Sequence, residues 1–550
     1  MGRDEFVTLI ERHRALSPGV TLSAPIVARL LEDQLSPVLV YRRLVASDER
    51  VAPSFLLESV EGGERAGRHS ILGAQPIMQV VAYGNTVTVH DERQGGAAVS
   101  DRSGDPLLAL RELTRDIRLV HETHDGQALP KAPLGGWFGY AAYDTVRYAE
   151  PEKLGRDRAP EDDRRLPELH FALYDGVVCF DHVDKLVHVV KLSMVAPDAD
   201  PGAAFDRASA ELDARVELIQ RHDVRPLPSG RVDRVERGGE TEAMPSNMTR
   251  AQHRAMVDRA LEYIRAGDIF QVVLGQRFER EAAVDPFDVY RSLRVVNPSP
   301  YMVYLQTPQA ILVASSPEIL CRVRTETDAD GSEKRVLTNR PLAGTRRRGV
   351  TPEEDRRLEA ELLADQKERA EHVMLVDLGR NDVGRVCVQN TVHLDAVFEV
   401  ERYSHVMHIS STVTGELRED FDAWDALRAT LPVGTISGAP KIRAMQIIDE
   451  LEPLRRGPYG GGMGYVGLDG DMDIALALRT MVAPTERRRG DTWTYHIQAA
   501  GGIVHDSQPD AEFDETVNKA AALGRAIALA ERAFARDPGA ETYPASDGSD

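Results

Sequence analysis

Cysteine is scarce in this chain, with three in 550 residues, at positions 179, 321 and 387. An odd number spread that widely gives neither a disulfide framework nor a paired metal clip. Long apolar runs are missing as well. No window approaches the eighteen or more apolar residues of a membrane span, and the opening MGRDEFVTLIERHR lacks the apolar stretch of a signal peptide. Phe6 stands where a myristoylation motif needs Ser or Thr. Positive charge is in deficit, 67 Lys and Arg against 88 Asp and Glu, for a net charge of -21. That sign opposes non-specific binding to nucleic acid or anionic lipid. No repeat of fixed period and no dinucleotide fingerprint is present. GTISGAPK has Ala439 where a phosphate loop needs Gly, and no Ser or Thr follows Lys441. His405 and His408, with apolar neighbours, lack the spacing of a zinc site. The expectation is a cytoplasmic protein without nucleic-acid or membrane partners.

What the chain does have is ordinary globular composition, 42% hydrophobic and 28% charged. Residues 1–196 alternate short apolar runs with Gly, Pro, Asp and Asn: SPVLVYRRL, APSFLLESVEGGERAGRHSILG, MQVVAYGNTVTVH, GGWFGYAAYD and LYDGVVCFDHVDKLVHVVKL. Runs of that kind predict strands of an antiparallel sheet, while LLALRELTRDI has helical spacing. Residues 197–248 turn polar and predict a helix followed by an exposed linker, hence a boundary. Residues 249–525 open with Thr249 and Gln252, a capping box ahead of apolar residues at helical spacing. Gly267 ends that helix, and DIFQVVLGQRFE continues as a strand. Thr351, Pro352 and Glu354 repeat the capping grammar at the start of a helix running through Glu368 and Glu371. A helix end and a disordered tail are expected over 526–550.

Glu368 with Glu371, and Glu512 with Glu515, are acid pairs at i and i+3, neighbours on one helix face. Unit charges about 4 Å apart at an effective dielectric near 20 interact by roughly 4 kcal/mol, so such pairs call for a proton, a cation or good solvation. One pair alone is more often a solvated face. Two on separate helices suit a hard divalent cation that takes one or two protein carboxylates. GPYGGGMGYVG and IQAAGGIV supply small residues whose amides can approach an anion, or simply turn between strands.

Nine segments together identify a resemblance: LLES (56–59), DIFQVV (268–273), NPSPYM (297–302), SSPE (315–318), PLAGT (341–345), KERAEHVMLVDLGRND (367–382), GTISGAPK (434–441), GPYGGGMGY (457–465) and DAEFDETVNKA (510–520). In this order they are similar to the anthranilate synthase component I family of chorismate-utilising enzymes over roughly residues 20–525. The resemblance implies an α+β fold of two packed antiparallel sheets with helices on the outer faces. It implies a first domain over 1–196 with a tryptophan regulatory site and a chorismate-binding catalytic domain over 249–525.

It further implies Mg²⁺ on Glu371 and Glu515, supported by Glu368 and Glu512, holding the ring carboxylate of chorismate. Tyr459 and Arg479 would meet the enolpyruvyl side, with Gly344, Thr345, Ala500 and Gly502 completing the pocket. Ala500 stands where many relatives carry Gly. Glu318 matches the general acid that helps the C4 hydroxyl leave, and His408 matches a histidine assigned to elimination or ring positioning. Gln271 stands where water-adding relatives carry Lys, and Ala343 where aminodeoxychorismate synthases do, so ammonia attacking C2 is implied. No cysteine lies in a G-x-C-x-G elbow, which implies a separate glutamine amidotransferase subunit in a heterotetramer. Glu58, Ser59, Asn297, Pro298, Ser299, Pro300, Tyr301 and Met302 would line a pocket for L-tryptophan as feedback inhibitor. The rivals are aminodeoxychorismate synthase component I and a catalytically dead tryptophan-binding subunit.

Overall fold

The computed structural model describes residues 2–46, 52–59, 67–93, 98–122, 129–222, 227–232, 243–328, 330–403 and 406–534. The expected tail beyond Phe534, part of the expected linker and His405 lie outside them.

Two twelve-stranded sheets form the frame. The first runs from an edge at Gly438–Ala439 through Gln271–Ala282, Trp493–Ile503, Thr480–Pro484, Ala310–Ser316 and Tyr301–Gln306. It then passes into Ser54–Glu58, His69–Ala74, Val178–Asp181, Leu186–Val195, Thr21–Leu31 and Ile117–Leu119. The second runs through Leu342–Arg347, Val406–Glu416, Glu333–Asn339, Ile319–Thr327, Met472–Leu476 and Gly462–Gly467, then into Gly136–Ala141, Leu169–Tyr174, Met78–Tyr83, Thr86–Asp91 and Ala98–Ser103. His393–Arg402 pairs alongside Val406–Glu416. Within the sheets, only the short Thr21–Leu31 to Ile117–Leu119 ladder is parallel among the described residues. The two sequence segments therefore share both sheets, joined at two seams. Glu58 faces Met302 across the first, and Ala141 faces Gly462 across the second.

The sheets pack face to face on aromatic residues from the seam strands. Phe55 stacks on Phe138 with centroids 3.9 Å apart, and Tyr174 meets both edge-on. Edge-on contacts such as those of Tyr174 add about 0.5–1.5 kcal/mol each beyond area burial. Helices cover the outer faces, among them Pro201–Gln220, Pro286–Val296 and Pro509–Ala533 on the first sheet and Ala423–Thr430 on the second. No described helix is long and apolar enough to cross a membrane.

Local signals held at most positions. Thr249 and Gln252 form a reciprocal capping box, and Gly267 caps the same helix at φ 83°. Three expectations are corrected. SPVLVYRRL is a helix, Pro37–Leu44, because Ser36 caps it through the Leu39 amide and Pro37 takes the first position. It is buried nearly all round, so its apolar pattern has no period to read. The helix expected to run from Thr351 through the first acid pair is broken in two, Pro352–Ala364 and Gln366–Gly384. Asp365 makes the break by accepting from the amides of Lys367 and Glu368. Glu354 does not close a box on Thr351; its carboxylate takes the Val350 amide at 2.7 Å and pairs with Arg347.

Candidate active site

Two of the places where the chain crosses between the sheets lie side by side, and functional side chains sit on both. Ser316 ends a strand of the first sheet and Ile319 begins one of the second, with Glu318 between them. Leu476 and Thr480 bound the return crossing, which carries Arg479. The crossings are tied together: the Leu476 amide donates to the Glu318 carbonyl at 3.0 Å, the Ser315 amide to the Arg479 carbonyl at 3.2 Å. Ser316 Oγ donates to the Leu476 carbonyl at 2.5 Å. Arg479 is held at φ 45°, a conformation a non-glycine residue keeps only where surrounding structure enforces it.

Glu318 is buried, and Thr435 Oγ1 donates to its Oε1 at 2.9 Å. Burial pushes its carboxyl up to about 8, against the Thr435 bond and the Leu342 amide, which favour the charged form. It holds a proton at neutral pH.

Gly344 and Thr345 occupy a bulge where the Leu342–Arg347 strand slips register against Val406–Glu416. Gly344 takes φ +66°, and a Cβ there would stand 3.2 Å from Glu368 Oε2. The bulge aims the Gly344 carbonyl at His408 Nδ1, 2.8 Å away, with Thr345 Oγ1 at 3.1 Å. With Nδ1–H donating to that carbonyl, the lone pair lies on Nε2, a buried atom with no hydrogen-bond partner among the described residues. Burial and the positive charge of Arg479 bring His408 down to about 4, so the ring is neutral.

The acids gather around the Gly501–Gly502 step of the Trp493–Ile503 strand. A Cβ on Gly501 would stand 3.2 Å from Glu512 Oε2 and 3.8 Å from Glu515 Oε1; one on Gly502 would stand 3.5 Å from Glu371 Oε1. Gln271 Nε2 donates to Glu371 Oε1 at 2.7 Å. Burial raises Glu371, opposed by that bond and reinforced by the negative charge of Glu368. Glu512 is raised by burial too, opposed by a bond from Ser507 and reinforced by Glu515. Arg346 reaches back to Asp365 and Glu368 at 2.7 and 3.2 Å. Tyr459 is buried, with a backbone hydrogen bond to Ala500.

For Mg²⁺ the donor set is suitable: carboxylate oxygens only, with Glu512 Oε2 buried beside a glycine cradle. Among the described residues no three His, Cys, Asp or Glu side chains stand ready-made as a metal cluster. An ion that takes one or two protein carboxylates and keeps its waters does not need one.

Two residues that sequence reasoning left unassigned belong here. Lys519 Nζ lies 2.7 Å from Glu515 Oε1 and donates to the Ala500 carbonyl at 2.9 Å. Its i+4 spacing from Glu515 was the available signal. Thr435 lies inside GTISGAPK, but nothing in its residue type points to Glu318.

The residues expected to hold tryptophan cluster at the first seam. Glu58 is buried, accepting from Tyr290 Oη at 2.6 Å and pairing with Arg294 at 3.0 Å. Ser59 follows at the strand end. Ser299 Oγ contacts Met302 Sδ at 3.8 Å, and Tyr301 Oη donates to Asp473 Oδ1 at 2.9 Å. Pro298 and Pro300 are half-buried in the turn before that strand. Asn297 Nδ2 donates to Ser315 Oγ at 3.2 Å, and Ser315 Oγ donates to the Asn297 carbonyl.

A family model described as chorismate binding enzyme matches residues 53–525. The chain is 50% identical over 524 residues to anthranilate synthase alpha subunit 1, chloroplastic, of Oryza sativa subsp. indica, covering 93% of this chain and 88% of that protein. It is 41% identical over 508 residues to anthranilate synthase component 1 of Acetivibrio thermocellus, covering 92% and 95%. The solved structure of anthranilate synthase component I from Streptococcus pneumoniae TIGR4 superposes with TM-score 0.66 at 33% identity, over 90% of this chain and 99% of that one. The menaquinone-specific isochorismate synthase MenF of Escherichia coli shares the fold, with TM-score 0.62 at 18% identity over 95% of this chain and 100% of that one.

Proposed function

The chain belongs to the anthranilate synthase component I family of chorismate-binding enzymes, and from that premise we propose how its own residues divide the work. It is a lyase that converts chorismate to anthranilate in tryptophan biosynthesis. The observation that carries the mechanism is the buried, proton-holding Glu318 on one sheet crossing, with Arg479 on the other.

Arg479 and Tyr459 bind the enolpyruvyl side, the guanidinium suiting a carboxylate. Glu371 and Glu515 would hold Mg²⁺, with Glu368 and Glu512 in support, and the charge it would supply there would offset that of the ring carboxylate. Ammonia forms the new bond at C2 while the C4–O bond breaks. Hydroxide leaves poorly, so Glu318 delivers the proton that lets the oxygen depart as water. Aromatisation then removes the C2 proton and breaks the bond to the enolpyruvyl oxygen, releasing pyruvate. His408 Nε2, neutral and unpartnered, accepts that proton. Gln271 is engaged by Glu371 and has no basic group with which to activate water.

Ammonia comes from a glutamine amidotransferase subunit. All three thiols here are buried, and burial pushes each of them up, Cys321 and Cys387 to about 12, so none is a thiolate at neutral pH to attack glutamine. Three free thiols also suit a cytoplasmic location. Tryptophan inhibits from the seam pocket at Glu58, Ser59 and 297–302. Support for coupling comes from Ser315, which bonds Asn297 of that pocket and the Arg479 backbone of the catalytic one.

The test is to incubate the purified chain with chorismate, Mg²⁺ and ammonium salt at alkaline pH, then with glutamine. Anthranilate and pyruvate should form from ammonium alone and not from glutamine without a partner. A product that keeps the enolpyruvyl group would overturn the assignment.

A further inference from the structure

Arg456 and Glu452 are among the most buried charges in the chain, with side chains 1% and 2% exposed. Taking such a pair out of water is expensive, and apolar replacements of similar size are often neutral or stabilising, so stability alone is a weak reason to keep it. Neither residue belongs to the substrate pocket or the acid cluster. Their hydrogen bonds nevertheless converge on the backbone behind the pocket. Arg456 grips Glu452 with Nε and Nη2 at 2.9 and 2.6 Å, and its ring partner is Tyr143, 4.7 Å below the guanidinium. Its Nη1 donates to the Ile436 carbonyl and its Nη2 to the Val273 carbonyl, both at 2.7 Å. Glu452 Oε1 also accepts the Gly275 amide at 2.9 Å. Ile436 follows Thr435, whose hydroxyl donates to Glu318. Val273 and Gly275 lie in the strand that begins with Gln271.

We propose that Arg456, braced by Glu452, is a positioning residue for the acid step: it anchors the Ile436 carbonyl and so holds the Thr435 hydroxyl on Glu318. The proposal rests on Glu318 being the acid. The bond from Thr435 is one of the two contacts that oppose the effect of burial on that carboxyl. Losing it shifts the carboxyl further up and disturbs its aim.

The experiment compares Arg456→Lys, Thr435→Val and the double variant in the full chain, measuring kcat and KM for chorismate across pH at constant free ammonia. Each single variant should lose about ten- to a hundredfold in kcat, as misplacement by an ångström can cost, with KM little changed and the alkaline limb moved upward. The double variant should be no worse than the poorer single one, since both act through one bond. Additive losses, a stationary alkaline limb or an effect confined to KM would overturn it. Glu452→Gln keeps an acceptor for Gly275 and is the second variant should Arg456→Lys not fold. If both fail to fold, the pair is structural and the proposal falls. Near-normal turnover in Glu318→Gln would instead remove the acid assignment, and this proposal with it.

Discussion

At the residue scale the site depends on environments that set protonation. Glu318→Gln keeps the shape and a hydrogen-bonding group but has no proton to give, so kcat should fall about 10²–10⁴-fold, the usual worth of a positioned acid; near-normal turnover would refute the role. In the wild type, kcat at fixed free ammonia should decline as pH rises through about 8. Stability follows the same group. The folded chain keeps a proton that the unfolded chain releases at ordinary carboxyl pH, so this group's contribution is full at low pH and is lost as pH rises toward about 8. Glu318→Gln should therefore melt above the wild type in alkaline buffer and close to it in acid, which a pH series of thermal melts would check. Glu371→Gln and Glu515→Gln should abolish turnover at saturating Mg²⁺ and remove the binding heat in calorimetry. Near-normal turnover in either would remove that residue from the metal assignment.

At the element scale, the acid pairs and the two ends of the Arg250–Ala266 helix were legible because each acts over a few residues. The i,i+3 pairs and the Gly267 cap are local facts. Lys519 was missed because its importance depends on its helix packing over the strand that carries the Ala500 carbonyl, and Thr435 because its partner lies 117 residues away. The break at Asp365 was missed because Asp at a helix start and Asp inside an acidic helix read alike until the capping bonds are seen. Glycine at the second seam can be tested directly. Gly136 has φ +139°, and a Cβ there would stand 2.4 Å from the Val466 carbonyl. Gly136→Ala should cost about 2 kcal/mol or more, in the range of backbone strain combined with overpacking, read as a lowered denaturant midpoint. An unchanged midpoint would mean that the seam relaxes freely.

At the scale of the whole molecule, the composition break near residues 197–248 was visible, but the pairing across it was not. Strand order inside a sheet is chosen by partners hundreds of residues apart, and no local periodicity records them. Two consequences follow for experiment. Expressed separately, residues 1–222 and 243–550 should each aggregate, because each exposes both of its seam edges and the apolar faces around Phe55 or Tyr465; co-expression should restore a soluble pair on size exclusion. Two well-behaved monomeric fragments would contradict the shared core. Ser315→Ala removes the side-chain half of the bridge between Asn297 and Arg479. It should raise the tryptophan concentration needed for half-inhibition several-fold, within the usual coupling range of 1–3 kcal/mol; Ser59→Ala and Met302→Thr should do so by weakening the pocket itself. Unchanged inhibition in all three would move the pocket elsewhere.

The seams also set a timetable for synthesis. Glu58 emerges from the ribosome 244 residues before Met302, and Ala141 waits 321 residues for Gly462. At roughly 5–20 residues per second, the early half spends on the order of ten seconds or more with two open strand edges. During that interval those edges are open to pairing with other chains. Slowing translation after residue 222 should therefore lower the yield of active enzyme, even though every mature contact is unchanged.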